Sequence, residues 1–176
     1  SVARNCDSVR ASASCAWRQS SWAAARVGAS AMARTIGSVL LPRTSSQRGS
    51  ATGDIDGDGD TDVVVGAVWN ENPGSGGSWL AHPLPPGYEA THDIEIADIN
   101  GDGKRDIAMR GESFSVVSVL LQVTKDSWQT FGVEPGLGLN GLDVADINAD
   151  GRRDIIVGGV WMENPGGNVA ATAWPK

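Results

Sequence analysis

The sequence predicts an all-β fold in which three four-stranded sheets follow an irregular amino-terminal stretch. Three observations carry that prediction. An acidic loop occurs three times at near-constant spacing, a short apolar run follows each copy, and Gly-rich or Asn-Pro-Gly turns separate the runs. Each is a signal of short strands joined by tight turns rather than of helices.

The loops read Asp54-Ile-Asp-Gly-Asp-Gly-Asp-Thr-Asp62, Asp98-Ile-Asn-Gly-Asp-Gly-Lys-Arg-Asp106 and Asp146-Ile-Asn-Ala-Asp-Gly-Arg-Arg-Asp154. Their first residues lie 44 and 48 positions apart. Repeats of this length mark solenoids, propellers or arrays. The similarity runs on past the loops. Loops one and three continue as Asp62-Val-Val-Val-Gly-Ala-Val-Trp69 and Asp154-Ile-Ile-Val-Gly-Gly-Val-Trp161, and then as Asn70-Glu-Asn-Pro-Gly74 and Met162-Glu-Asn-Pro-Gly166. Loop two continues as Asp106-Ile-Ala-Met-Arg and a second apolar run from Phe114 to Val123.

These runs are continuously apolar, as strands are when both faces are covered. Inner strands of a propeller blade meet that condition, because each blade lies between two neighbours. Four strands per repeat are expected. They are an approach strand (His92 to Ala97 in repeat two), the apolar run, a Val-Trp strand, and an outer strand starting near Trp79, Trp128 or Trp174. The repeat region spans residues 34–176, and its first repeat begins near Thr35 and Ile36. Residues 1–33 are rich in Ala, Ser and Arg, nearly free of acids, and read as an irregular basic segment.

Charge follows the same division. The net charge is −7, but residues 1–50 carry seven Arg and one Asp, whereas the remainder is strongly acidic. An acidic repeat region repels phosphates, which argues against nucleic acid as a partner. No apolar run is long enough to span a membrane as a helix. A signal peptide is not seen, being either absent or already removed. Cys6 and Cys15 are close enough in sequence to form a small disulfide loop, but two cysteines do not define a framework.

Carboxylates packed this closely repel one another unless a cation sits among them. A hard cation seeking six to eight oxygens, calcium above all, suits such a loop. The candidate ligands are Asp54, Asp56, Asp58 and Asp62 in loop one, Asp98, Asn100, Asp102 and Asp106 in loop two, and Asp146, Asn148, Asp150 and Asp154 in loop three. Position 7 contributes its backbone carbonyl, so Asp60, Lys104 and Arg152 qualify despite their different side chains. Position 12, where a helix-flanked calcium loop carries Glu, is Val65, Met109 or Val157. The absence of that Glu places the expected affinities on the order of 10⁻⁴ to 10⁻³ M. Loop one holds five Asp and no base, while loops two and three each set three Asp against two bases. Loop one is therefore expected to depend most on the ion.

A second activity would draw on Trp69, Glu71, Asn72, Trp161, Glu163 and Asn164, because exposed indole faces with nearby amides and carboxylates bind sugars. The simpler reading is that the Trp residues fill space between blades and that Asn-Pro-Gly forms a turn. His92, beside Asp93, is a candidate polar group for either a ligand or a strand edge. His82 precedes Pro83 and reads as a loop residue.

The loop pattern, repeated every 45–50 residues, resembles the FG-GAP/VCBS repeat family, whose calcium loops join the first two strands of propeller blades. The Val-Trp-x-Glu-Asn-Pro-Gly element and Thr91-His-Asp93 are similar to a subgroup that includes aldos-2-ulose dehydratase-like proteins. The resemblance implies a calcium-stabilised extracellular binding module with up to three calcium sites and a carbohydrate or protein ligand. Its alternative is part of a carbohydrate-active enzyme of dehydratase or polysaccharide lyase type. Such propellers close with about seven blades, so three blades imply further blades or association with other copies.

Overall fold

The computed structural model describes residues 49–88, 91–111, 116–134 and 140–176. The chain divides into two units, Ser1–Leu40 and Leu41–Lys176, and all described residues lie in the second. The expectations for residues 1–33, for Cys6 and Cys15, and for a first repeat starting near Thr35 fall outside the described residues.

The described residues form three antiparallel sheets and no helix. The first sheet runs in sequence order β1 (Ser50–Gly53), β2 (Asp62–Val65), β3 (Val68–Glu71) and β4 (Leu80–Pro83). The second repeats that order with β5 (Thr91–Ala97), β6 (Asp106–Gly111), β7 (Val117–Thr124) and β8 (Ser127–Val133). The third holds β9 (Leu142–Ala145), β10 (Asp154–Val157) and β11 (Val160–Met162). Each acidic loop joins the first and second strands of its sheet.

The third sheet corrects the expectation of four strands in every repeat. Residues 163–176 run as turns and irregular chain. One rung of a fourth strand is present, where the Glu163 N–H donates to the Pro175 carbonyl at 2.9 Å. Its counterpart is the Glu71–Leu80 pairing of the first sheet. Trp174 does not open a strand. It is buried against Val169, whose carbonyl accepts its Nε1–H at 3.1 Å.

The doubly covered strands predicted from their composition are found in the middle sheet, where all six residues of β6 are buried. Alternate side chains point to opposite faces of a strand, so Ile107 and Met109 enter one core while Ala108 enters another. On β7, Leu120 joins the first of these and Val119 and Leu121 join the second. The first core fills the space between sheets one and two with Ile55, Val64, Trp69 and Leu84. The second fills the space between sheets two and three with Ile99, Ile155, Val157 and Met162. Burial of an aliphatic side chain of this size contributes about 1.5–3 kcal/mol.

The first strands of successive sheets are neighbours, β1 beside β5 and β5 beside β9. At that junction the Gly49 N–H donates to the Thr91 carbonyl at 2.7 Å. A Cβ at Gly49 would stand 2.1 Å from the His92 carbonyl oxygen, so this close approach admits only glycine. The lateral stacking of the first strands brings the three loops to the same end of their sheets.

Candidate functional site

Each loop is folded by its own side chains. The carboxylate at position 1 accepts backbone N–H groups from the turn, as Asp54 does from Gly57 at 2.8 Å and Gly59 at 3.1 Å. Asp98 accepts from Gly101 at 2.7 Å and Gly103 at 2.9 Å, and Asp146 from Gly151 at 2.9 Å. Position 5 accepts the N–H of position 7, at 2.8 Å in loop one and 2.9 Å in loops two and three. Position 6 has positive φ throughout, 95° at Gly59 and 86° at both Gly103 and Gly151. These local bonds are Asx-type turns, which is why Asp and Asn recur at every second position.

Position 9 has a separate task. Asp62, Asp106 and Asp154 are fully buried. The Asp62 carboxylate accepts from the Ile55 N–H at 2.8 Å and from the Asn72 N–H at 2.8 Å. Asp106 accepts from Ile99 at 2.8 Å and Gln122 at 2.9 Å, and Asp154 from Ile147 at 3.1 Å and Asn164 at 2.8 Å. Each carboxylate thus bolts the start of its loop to the end of the third strand, at Gln122 in the second sheet, or to the segment just after it, at Asn72 and Asn164. Burial pushes the Asp62 and Asp106 carboxyls above the ordinary value, against the opposing pull of those backbone donors.

The loops diverge at positions 3, 5 and 7. In loop one, Asp54, Asp56 and Asp58 place one oxygen each within 4.8 Å of one another, a group that can hold a metal ion. Burial raises the Asp56 carboxyl, and the charges of Asp58, Glu71 and Asp54 raise it further. In loop two the Lys104 ammonium lies 2.7 Å from the Asp102 carboxylate. In loop three the Arg152 guanidinium pairs with Asp150 and stands 3.8 Å from Glu163. Burial pushes Asp102 and Asp150 upward, but the donors from Lys104, Arg152 and the neighbouring Asn side chains outweigh it and hold both below their ordinary value. In loops one and three the side chain at position 7 rests against the Asn-Pro-Gly turn: a Cβ at Gly74 would meet Asp60, and one at Gly166 would meet Arg152.

The residues nominated for ligand binding are distributed over separate places. Trp69 is buried on β3, and Asn164 is buried with its side chain bonded to the Ile99 and Arg153 carbonyls and to the Gly166 N–H. Asn72 makes the equivalent turn, accepting from the Gly74 N–H at 3.2 Å. Glu163 accepts from Asn148 at 3.2 Å beside loop three. Trp161 is exposed, and His92 is half-buried on β5. The structure does not bring these residues into one cluster.

It does build a cluster around His82, which the sequence places in a loop. That reading is corrected: His82 lies on β4 opposite Trp69, with the rings stacked at 4.0 Å and 9°. Its Nε2 is 2.8 Å from Glu71, and its Nδ1 is 2.6 Å from Asp126 in the turn between β7 and β8. Lys125 reaches Glu71 at 3.1 Å, and this bond, followed by that from His82, holds the Glu71 carboxyl below its ordinary value. The register pairing of β3 with β4 makes this cluster, and no local motif announces it.

Two cavities lie between consecutive loops. One of about 420 Å³ is lined by Asp54 and Asp56 of loop one, Lys104 and Arg105 of loop two, and Gln122 and Lys125. The other, of about 330 Å³, is lined by Asp98 and Asn100 of loop two, Arg105, Arg152 and Arg153, and Asn164. Each sets acidic groups of one loop against bases of the next.

Residues 48–80, which hold loop one and the first three strands, match the FG-GAP repeat family. No curated protein and no solved structure gives a significant match to the chain. An FG-GAP repeat is a propeller-type unit, in agreement with the sheet that residues 50–83 form and with the two further sheets stacked beside it. Among the described residues, no helix is long and apolar enough to cross a membrane.

Proposed function

We propose that the protein is a calcium-stabilised binding module that works outside the cell and engages carbohydrate or protein ligands at the face formed by its loops. The observation that carries this reading is the grouping of Asp54, Asp56 and Asp58 within 4.8 Å in loop one. Three carboxylates so placed repel one another, and a divalent cation relieves the repulsion. Asn100 and Asn148 supply neutral oxygens in loops two and three, which makes them secondary sites. The ion holds the loop in shape and takes no part in a reaction. The inter-loop cavities are large enough to admit a ligand, and their charged and polar linings suit a polar one.

Thermal unfolding in calcium and in chelator tests the cation. At a hundredfold excess over Kd, calcium bound only to the folded state adds about 2.7 kcal/mol. The melting temperature should rise accordingly, and Asp56→Asn with Asp58→Asn should abolish the rise. An unchanged melting temperature would overturn the reading. A glycan array probed with and without calcium tests the ligand class: calcium-dependent retention supports carbohydrate, and uniform silence points to a protein partner.

A further inference from the structure

One group of bases stands against the acidity of this chain, whose net charge is −7. The cavity between loops two and three, about 330 Å³, is lined by Arg105, Arg152 and Arg153 and by a single carboxylate residue, Asp98. Arg105 and Arg153 hold the same place, position 8, in their loops, and both are exposed. Loop one has Thr61 there. Among the described residues, the side chains of Arg105 and Arg153 have no hydrogen-bond or ion-pair partner. Arg152 is held in place: its Nε donates to the Asn164 carbonyl at 2.9 Å, and its guanidinium pairs with Asp150.

Asp98 does not neutralise these bases. Its carboxylate turns to its own loop, accepting from the N–H groups of Gly101, Asp102 and Gly103 at 2.7, 3.1 and 2.9 Å. Like charges gathered in one concavity repel one another, and an anion relieves that repulsion as a cation does in loop one. The cavity between loops one and two differs. Two of its three bases, Lys104 and Lys125, already hold Asp102 and Glu71, and Asp54 and Asp56 line it as well. In the arginine-lined cavity a Cβ at Gly151 or Gly167 would meet nothing within 4 Å, so a ligand can approach the backbone closely.

We propose that this cavity binds the oxyanion of an acidic sugar, a carboxylate or a sulfate ester, between the guanidinium groups of Arg105 and Arg153. The inference rests on the reading of the loop face as the ligand-binding surface and adds the charge of the ligand. A guanidinium meets such an oxyanion with two parallel N–H···O bonds, a geometry that an ammonium does not offer. Arg152 adds positive charge without leaving Asp150. The volume lies at the small end of ligand pockets, which suits one sugar unit rather than a protein surface. Apart from Ile99 and Val169 the lining is polar or glycine, as sugar hydroxyls require.

Titration calorimetry of the full chain in calcium tests the proposal. Glucuronate or a glucose sulfate ester should bind where glucose does not, the tighter of the two identifying the anionic group, and added salt should weaken the binding. Arg105→Gln and Arg153→Gln should each weaken it by about tenfold or more, the effect of losing a charge-assisted hydrogen bond. Lys176→Gln, which removes an exposed charge outside the cavity, should leave it unchanged. No binding of either acidic sugar, equal binding of glucose, inorganic sulfate binding as tightly as the sugars, or an affinity unchanged in both arginine variants would each overturn the proposal. Binding of a glutamate tripeptide in place of the sugars would overturn it in favour of a protein partner. Both arginine variants should keep the calcium response of the melting temperature, which shows that they fold. Neutral glycans retained on the array without glucuronate or sulfate-ester binding would overturn this inference alone and leave the reading beneath it standing.

Discussion

In loop one, three carboxylates face one another with no base among them; in loops two and three, Lys104 and Arg152 reach back to the carboxylate at position 5. The buried bolt at position 9 is the same in all three. The bolt fixes where the loop attaches, and it must survive in every copy because two backbone N–H groups would otherwise be buried without acceptors. The charge balance decides only how the exposed rim is held, by a cation or by a tethered base, and is free to vary. The position-7 base makes an ion pair near the surface, worth about 0–1 kcal/mol. A bound divalent cation can contribute more, but only when the solution supplies it.

The largest test of this comparison strikes what the loops share. Asp106→Asn replaces one acceptor oxygen by a donor and leaves a buried N–H unmatched, at a cost of about 2–3 kcal/mol. Denaturant unfolding of this variant, of Asp62→Asn and of Asp154→Asn should give similar losses, with and without calcium. A loss confined to one loop would break the equivalence of the bolts.

The next test exchanges what the loops do not share. Asp56→Asn with Asp60→Lys gives loop one the charge pattern of loop two. The variant should lose the calcium response of its melting temperature and gain up to about 1 kcal/mol in chelator, the upper range for an exposed ion pair. Asn100→Asp with Lys104→Asp should transfer a calcium response to loop two. A calcium response that keeps the wild-type pattern in both variants would show that charge balance does not govern the difference.

A smaller effect is expected at position 4. Gly57 and Gly101 adopt φ of 81° and 77°, and Ala149 holds φ of 61° at the same place in loop three. A left-handed alanine costs about 1 kcal/mol relative to glycine, so Ala149→Gly should stabilise by about that amount or less in a chemical denaturation curve. Equal or lower stability would mean that the loop relaxes around its alanine.

The smallest lies away from the loops, on β5. Burial, and then the charges of Asp143 and Asp93, raise the Glu95 carboxyl above its ordinary 4.5. The folded state therefore holds the Glu95 proton more tightly than the unfolded chain. Its contribution to stability is fully present below pH 4.5 and is lost as pH rises through the raised value. Glu95→Gln should increase stability at neutral pH by some tenths of a kcal/mol and flatten the profile above pH 4.5. An unchanged profile would remove Glu95 as its source.

Much of this was legible in the residues themselves. Loop positions, the β-branched runs of β2 and β10 and the approach strand expected over His92 to Ala97, found as Thr91–Ala97, follow from spacing and composition, because turn chemistry and double burial leave local marks. His82 could not be placed from sequence. Its two carboxylate partners lie 11 and 44 residues away, and only the β3–β4 register and the stacking of two sheets bring them together. The same holds for Gln122, whose amide reaches the Ile55 carbonyl 67 residues back in sequence. The expected fourth strand of the third sheet also fails locally: Trp174 carries the same residue type as Trp79, but its indole finds a carbonyl and a core to enter.

By itself the sequence determined the repeat, the strand-forming segments and the oxygen-rich turns, since each rests on interactions among residues close along the chain. Tertiary structure alone decided that position 9 is a buried bolt, that His82 joins two sheets, and that Ile147 lies open while Ile55 and Ile99 are covered. The three isoleucines sit in the same local motif. Their different burial depends on whether another sheet stands beside them, a fact that no stretch of neighbouring residues encodes.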